Sequence, residues 1–195
     1  FVRLWFEVSF GKIGFGHKDR VSASKSGHKW FPYNKGGEFR KWYGNNEHIV
    51  NWEKDGQAIK EKKENDLKAG RITANNSKCW NQEYYFQPSI SWSGVSSSRA
   101  AFREYKAGSI FSGAGLSAFF ESSLKNLAIA SLNSHMNDYL LGVISPGLSL
   151  TSGELGRLPF LERPEKDQVG AVVDNLINYA SRDWDSYETS WDFLN

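Results

Sequence analysis

The chain has 195 residues, with 24 Lys and Arg against 22 Asp and Glu for a net charge of +2, and aromatic residues make up 15% of it. That length fits one domain with a sizeable core, or one domain with a small appendage. A lone Cys79 excludes an intrachain disulfide, and no apolar run approaches the ~20 residues that span a bilayer, so a reducing cytoplasm is the expected location and a membrane is not an expected partner.

In chain order, residues 2–10 read as a strand, followed by the Gly-rich Gly11–Gly16. That run has the wrong order for a dinucleotide fingerprint. No signal peptide is visible, and the opening on Phe1 into an apolar strand pattern reads as an excised piece of a longer protein. Turn and loop signals fill 17–29. A short helix is expected over 36–43 and a strand over 47–52. Asp55 is placed to cap a highly charged, peripheral helix from Gly56 to about Ala69, with Gly70 as its stop. Strand patterns follow at 84–93, 101–105, 109–111 and 116–120, separated by Ser and Gly clusters. Helical spacing then covers 123–144 in two pieces, ended by Pro146. A last helix is expected from Pro164 to Arg182, with an apolar stripe of Val169, Val172, Val173, Leu176, Ile177 and Ala180. Strands dominate to 120 and helices afterwards, which predicts an α+β class with a mixed or antiparallel sheet in the first ~120 residues. Residues 1–162 are expected to form one domain, with the helix and acidic aromatic tail of 163–195 packing on it.

Charge is unevenly spread. Residues 1–111 carry 19 Lys and Arg against 11 Asp and Glu, and residues 112–195 carry 5 against 11. A basic half suits a polyanion, and an acidic half suits a protein neighbour. The densest basic-aromatic stretch is 28–52. There Lys29, Lys35, Arg40 and Lys41 can neutralise phosphates. Trp30, Trp42 and Trp52 can stack on bases or sugars, although at least two of them are expected in the core. Asn34, Asn45 and Asn46 are of the residue type that pairs with adenine edges; for Gly44-Asn-Asn46 the favoured alternative is an ordinary turn, which needs only positive φ. Ser91-Trp92-Ser93, with Ser96 to Arg99 beyond, places small donors beside a cation, which suits phosphate contact. Arg99 and Arg103 complete the expected DNA-binding set.

Catalytic signals are sparse. The residues His17, His28, His48 and His135 lack metal-ligand spacing, and one Cys cannot complete a thiolate zinc site. Neither a Gly-x-Ser-x-Gly elbow nor a Walker loop occurs. Glu61-Lys-Lys63 has the Glu-x-Lys form of some nuclease cores but sits in a solvated charge run. Prolines 32, 88, 146, 159 and 164 are never adjacent, so the Asp/Asn-Pro-Pro-Tyr/Phe motif of N6-adenine methyl transfer is missing.

Six blocks, in order, carry a resemblance: Lys29 to Gly44, Asn51 to Lys60, Tyr84-Tyr-Phe with Ile90-Ser-Trp-Ser93, Gly108-Ser-Ile-Phe111 with Gly115 to Phe119, Leu132-Asn-Ser134, and Asp183 to Asp192. Together they resemble the region past the catalytic domain in PglX-type adenine-specific DNA methyltransferases of BREX phage-defence systems, and in related type II restriction-modification enzymes. Ile144 to Leu148 departs from the expected Asn-Pro-Thr-like turn, and 61–78 resembles nothing recognisable. The resemblance implies a target recognition domain that reads double-stranded DNA. S-adenosylmethionine is then expected for the parent enzyme and no cofactor for this segment. The implied partners are the parent's catalytic domain and further defence-system subunits. The alternative is a protein-interaction scaffold of the same complex, without direct DNA contact.

Overall fold

The computed structural model describes residues 1–97, 99–160 and 166–193, and it is α+β, with helices concentrated towards the C-terminus. Two compact units arise from interleaved stretches of chain. Unit 1 comprises 1–33, 47–87 and 106–110, and unit 2 comprises 34–46, 88–105 and 111–195. The boundary expected near 162 falls outside the described residues.

A four-stranded sheet is ordered β1-β3-β2-β6, formed by β1 (Val2–Leu4), β2 (Trp30–Asn34), β3 (His48–Asn51) and β6 (Ile110–Phe111). Strand β3 pairs antiparallel with both β1 and β2. The strand expected over 2–10 stops at Leu4, where the chain turns into 3-10 pieces at 5–7 and 10–12. Helix α1 (Arg20–Lys25) stands where loop signals dominate the sequence; Asp19 caps it by accepting from the Ser22 amide. The core of unit 1 is aromatic: Phe31 meets Phe86 edge-on at 5.5 Å, and Trp52 meets Tyr85 at 5.2 Å.

Helix α2 (Glu53–Lys68) contains a left-handed turn at Lys54, Asp55 and Gly56, with φ of 51°, 59° and 75°. Such a run costs energy for L-residues and needs outside support. Asp55 provides it. Its carboxylate accepts from Arg20, from Lys60 at 2.7 Å and from the Trp52 indole at 3.3 Å. The expected helix cap is therefore a tertiary clamp between α1 and α2.

Unit 2 rests on a three-stranded antiparallel sheet ordered β5-β4-β7, made of β4 (Ser89–Ser93), β5 (Arg103–Tyr105) and β7 (Gly115–Ala118). Alternation along Ser-Ile-Ser-Trp-Ser sends Ile90 and Trp92 to one face and the three serines to the other. Ile90 and Trp92 join a buried cluster with Ala128 and Ile129 of α3 (Ser122–Leu132), Leu141 of α4 (His135–Ile144), and Val173, Ile177 and Trp184 of α6 (Lys166–Asp185). The two helical pieces expected over 123–144 are α3 and α4, parted at Asn133–Ser134, and Ser134 caps α4 by accepting from the Asn137 amide. A short α5 (Ser152–Leu155) begins with a capping box of Thr151 and Glu154. Within the stripe expected on α6, Val173 and Ile177 are buried, whereas Val172 is 59% exposed.

Ile177→Ala should lower unfolding stability by about 2–5 kcal/mol, and Val172→Ala should stay within about 0.5 kcal/mol; equal effects in denaturant titrations would place the core elsewhere on α6. Burial alone would push the Asp55 carboxyl up, but hydrogen bonds from Arg20 and Lys60 and their charges outweigh it and hold the group down at about 2. A depressed carboxylate stabilises the fold above its unfolded pKa and ceases to do so as pH falls through its folded value. Asp55→Asn retains tolerance of the left-handed backbone while removing the charge. It should lower stability at neutral pH and flatten the loss between about pH 4 and pH 2, as read by thermal melts across that range.

Candidate nucleic-acid interface

The polar face of the β5-β4-β7 sheet is roofed by the 34–46 segment. No helix forms there, because Gly36, Gly37, Trp42, Gly44 and Asn45 all have positive φ, from 61° at Asn45 to 132° at Gly37. Asn34 anchors the roof. Its amide nitrogen donates to Ser91 Oγ at 2.5 Å and to the Gly115 carbonyl at 3.1 Å, and its side-chain oxygen accepts from the Gly36 amide at 3.1 Å. Ser93 Oγ donates to the Gly37 carbonyl at 2.7 Å, and the Tyr105 hydroxyl donates to the Asn45 carbonyl at 3.0 Å. A Cβ at position 115 would sit 2.2 Å from Asn34 Oδ1, so only glycine permits this closure.

These contacts engage several of the residues expected to touch DNA. Asn34, Asn45, Asn46, Ser91, Trp92 and Arg103 are all buried. Asn45 donates to the Glu38 carbonyl at 2.9 Å, and Asn46 bonds the Tyr43 hydroxyl. Trp92 packs in the core and donates its indole N–H to the Leu150 carbonyl at 2.9 Å. These side chains are enclosed by the fold, and Gly44-Asn-Asn46 has positive φ at Gly44 and Asn45, as an ordinary turn needs.

Arg40, Lys41 and Trp42 are partly buried. Arg40 pairs with Asp183 and lies over the Trp184 ring, 5.0 Å from its centroid. Lys41 donates to the Asn133 carbonyl at 2.9 Å. Trp42 exchanges backbone hydrogen bonds with Phe102 and Glu104, each at 2.8 Å. Lys29, Lys35 and Arg99 are exposed, while Trp30 in β2 is half-buried with the Lys29 ammonium 5.9 Å from its ring.

Arg103 is the electrostatic anomaly. It is fully buried, its Nη2 donates to Ser93 Oγ at 3.1 Å, and Nε and Nη1 find no partner among the described residues. Burial lowers its pKa, and Tyr105 opposes the shift.

Arg99 and Ser93 come together at an open groove of about 880 Å³. Ser93, Ser96, Ser97 and Arg99 form one wall, and His135, Asp138, Tyr139 and Gly142 of α4 form the other. Leu141 and Leu150, both buried, lie at its base. Arg99 reaches Asp138 at 3.1 Å while its side chain stays 76% exposed, and Tyr139 is 72% exposed. The groove presents a cation, hydroxyls, an imidazole and an aromatic ring, with polar groups outnumbering charges. His135, Asp138 and Tyr139 escaped the sequence reading. Their i, i+3, i+4 spacing on one helix face was the available signal, and it is easily mistaken for an ordinary solvated face.

No known family model matches the chain. It is 37% identical over 195 residues to an adenine-specific methyltransferase PglX of Lacticaseibacillus casei (strain Zhang), an alignment covering 99% of this chain and 16% of that protein. It is 31% identical to an adenine-specific methyltransferase BrxX of Escherichia coli O9:H4 (strain HS), covering 99% of this chain and 14% of that one. The chain is therefore similar, from end to end, to one segment of such methyltransferases and spans about a sixth or less of their length. Among the described residues no helix is long and apolar enough to cross a membrane.

Arg103→Met should leave stability within about 1 kcal/mol or raise it, since it removes a buried cation without a counter-charge and keeps the side-chain volume. Arg103→Ala should instead cost about 2–4 kcal/mol through the cavity it leaves. Urea titration distinguishes them, and a Met variant as unstable as the Ala variant would show that the charge itself is needed.

Proposed function

We propose that this chain is the DNA target recognition region of an N6-adenine-specific DNA methyltransferase of a BREX or restriction-modification defence system. One combination carries the reading: end-to-end similarity to adenine-specific methyltransferases in a segment that lacks the Asp/Asn-Pro-Pro-Tyr/Phe motif. What such a segment contributes is then substrate recognition, with S-adenosylmethionine bound by the parent's catalytic domain. The groove between Ser93–Ala100 and α4 supplies groups of the right chemistry. Arg99 can contact phosphate or a guanine edge, the serines can donate to phosphate oxygens, and Tyr139 can stack. Lys29 and Lys35 add exposed cations elsewhere on the basic part of the sequence.

A second reading has its own support. Met136, Tyr139, Val143 and Leu148 are each at least 65% exposed, an apolar strip on and just after α4 that suits protein docking. In that case the chain is a scaffold for another subunit of the defence complex.

Duplex DNA titrated into the 195-residue chain decides between them. Binding should weaken steeply with salt, and replacing Lys29, Lys35 and Arg99 with Ala should reduce the log–log salt slope by roughly 0.9 for each phosphate contact removed. Stability should change little, because exposed charges contribute under about 1 kcal/mol each. Wild-type chain that fails to bind duplex even at low ionic strength would overturn the recognition reading in favour of the scaffold.

A further inference from the structure

Unit 1 has a separate cluster that no part of the recognition groove uses. Its net charge is positive, with 14 Lys and Arg against 9 Asp and Glu. A cavity of about 760 Å³ lies beside α1 and α2, lined by Arg20, Lys60, Lys78, Trp80, Gln82 and Glu83 among others. Two of the cations share a single carboxylate, since Arg20 and Lys60 both bind Asp55. Lys78 makes no ion pair among the described residues; its ammonium lies 4.9 Å from the Trp80 ring centroid. Trp80 is 50% exposed.

The turn that presents Lys78 and Trp80 is fixed in advance. Lys63 Nζ donates to the carbonyls of Asn76 at 2.6 Å and Lys78 at 3.2 Å, and the Trp80 indole N–H donates to the Asn75 carbonyl at 3.3 Å. A half-exposed tryptophan with a lysine against its ring thus sits on a braced turn where the lining cations Arg20, Lys60 and Lys78 outnumber the carboxylates of Asp55 and Glu83.

We infer that this cavity is a clamp for the nucleic-acid sugar–phosphate backbone, with a phosphate held by Lys78 and the Arg20–Lys60 edge and a deoxyribose packed on Trp80. The inference rests on the recognition reading above and adds a sequence-blind contact to it, in a different unit from the groove. A phosphate there shares the two cations already oriented by Asp55, and Glu83 at the lining disfavours a second one. The clamp contributes affinity and register rather than discrimination.

The test uses the 195-residue chain and duplexes of several unrelated sequences. Lys78→Gln combined with Trp80→Leu should weaken binding severalfold on every duplex alike and lower the salt slope by roughly 0.9. Lys78→Glu alone, which leaves the ring in place, should do the same or more, so the outcome is readable even if the double variant folds poorly. Affinity and slope unchanged in Lys78→Glu, while Arg99→Ala weakens binding, would overturn the clamp and leave the recognition reading standing. Wild-type chain that binds no duplex would remove the recognition reading itself, and the clamp with it. Inorganic phosphate at matched ionic strength should not displace DNA; displacement that Lys78→Glu abolishes would make the cavity a small-anion site and overturn the backbone assignment.

Discussion

The side-chain amide of Asn34 is the contact on which unit 2 depends. It ends β2, turns the chain at Gly36, and ties that turn to β4 and β7 through Ser91 and Gly115. Because it is buried, each of its bonds forms away from competing water, and an unmade one would leave a desolvated polar group. Everything that roofs the polar sheet face follows from this anchor. Ser93 and Tyr105 can meet backbone carbonyls only if the 34–46 segment lies where Asn34 puts it. The apolar face can then be devoted entirely to Ile90 and Trp92 against the helices.

Much of this architecture was legible in the residues. The alternation of Ser89 to Ser93 announces a strand, and the apolar spacing before and after Asn133 announces two helices. Proline and glycine mark the ends. The parts that were not legible share a cause. Left-handed residues such as Trp42 and Lys54 belong to types that rarely adopt that backbone, so local propensity points to helix where tertiary contacts impose a turn. Polar residues in the Asn34 to Asn46 stretch have the composition of a ligand-binding loop and of an internally bonded roof alike. Composition cannot separate the two, because both need amides, glycine and small donors. Burial separates them, and it turns Asn34, Ser91 and Arg103 inward while leaving Arg99 outside.

The charge pattern divides in a similar way. Counting along the sequence suggests a basic first part and an acidic second. In the fold, Arg40 is spent on Asp183 and Trp184, and Lys41 on the end of α3. Lys29, Lys35, Lys78 and Arg99 are among the cations whose side chains stay exposed, each on a different stretch of chain. Of these four, Arg99 lines the groove, where it meets Asp138 beside Tyr139.

The outer edge of β5 is the feature with the widest reach. Trp42 supplies a backbone N–H to the Phe102 carbonyl and a carbonyl to the Glu104 amide, as a neighbouring strand would. Asn133, at the corner between α3 and α4, adds its side-chain amide to both the N–H and the carbonyl of Phe102, at 3.1 and 2.8 Å. A helix corner is thus acting as a short piece of strand. An extended peptide from another molecule has no ladder to join along this margin, so aggregation by strand addition is blocked there and a partner at this margin must be recognised through side chains.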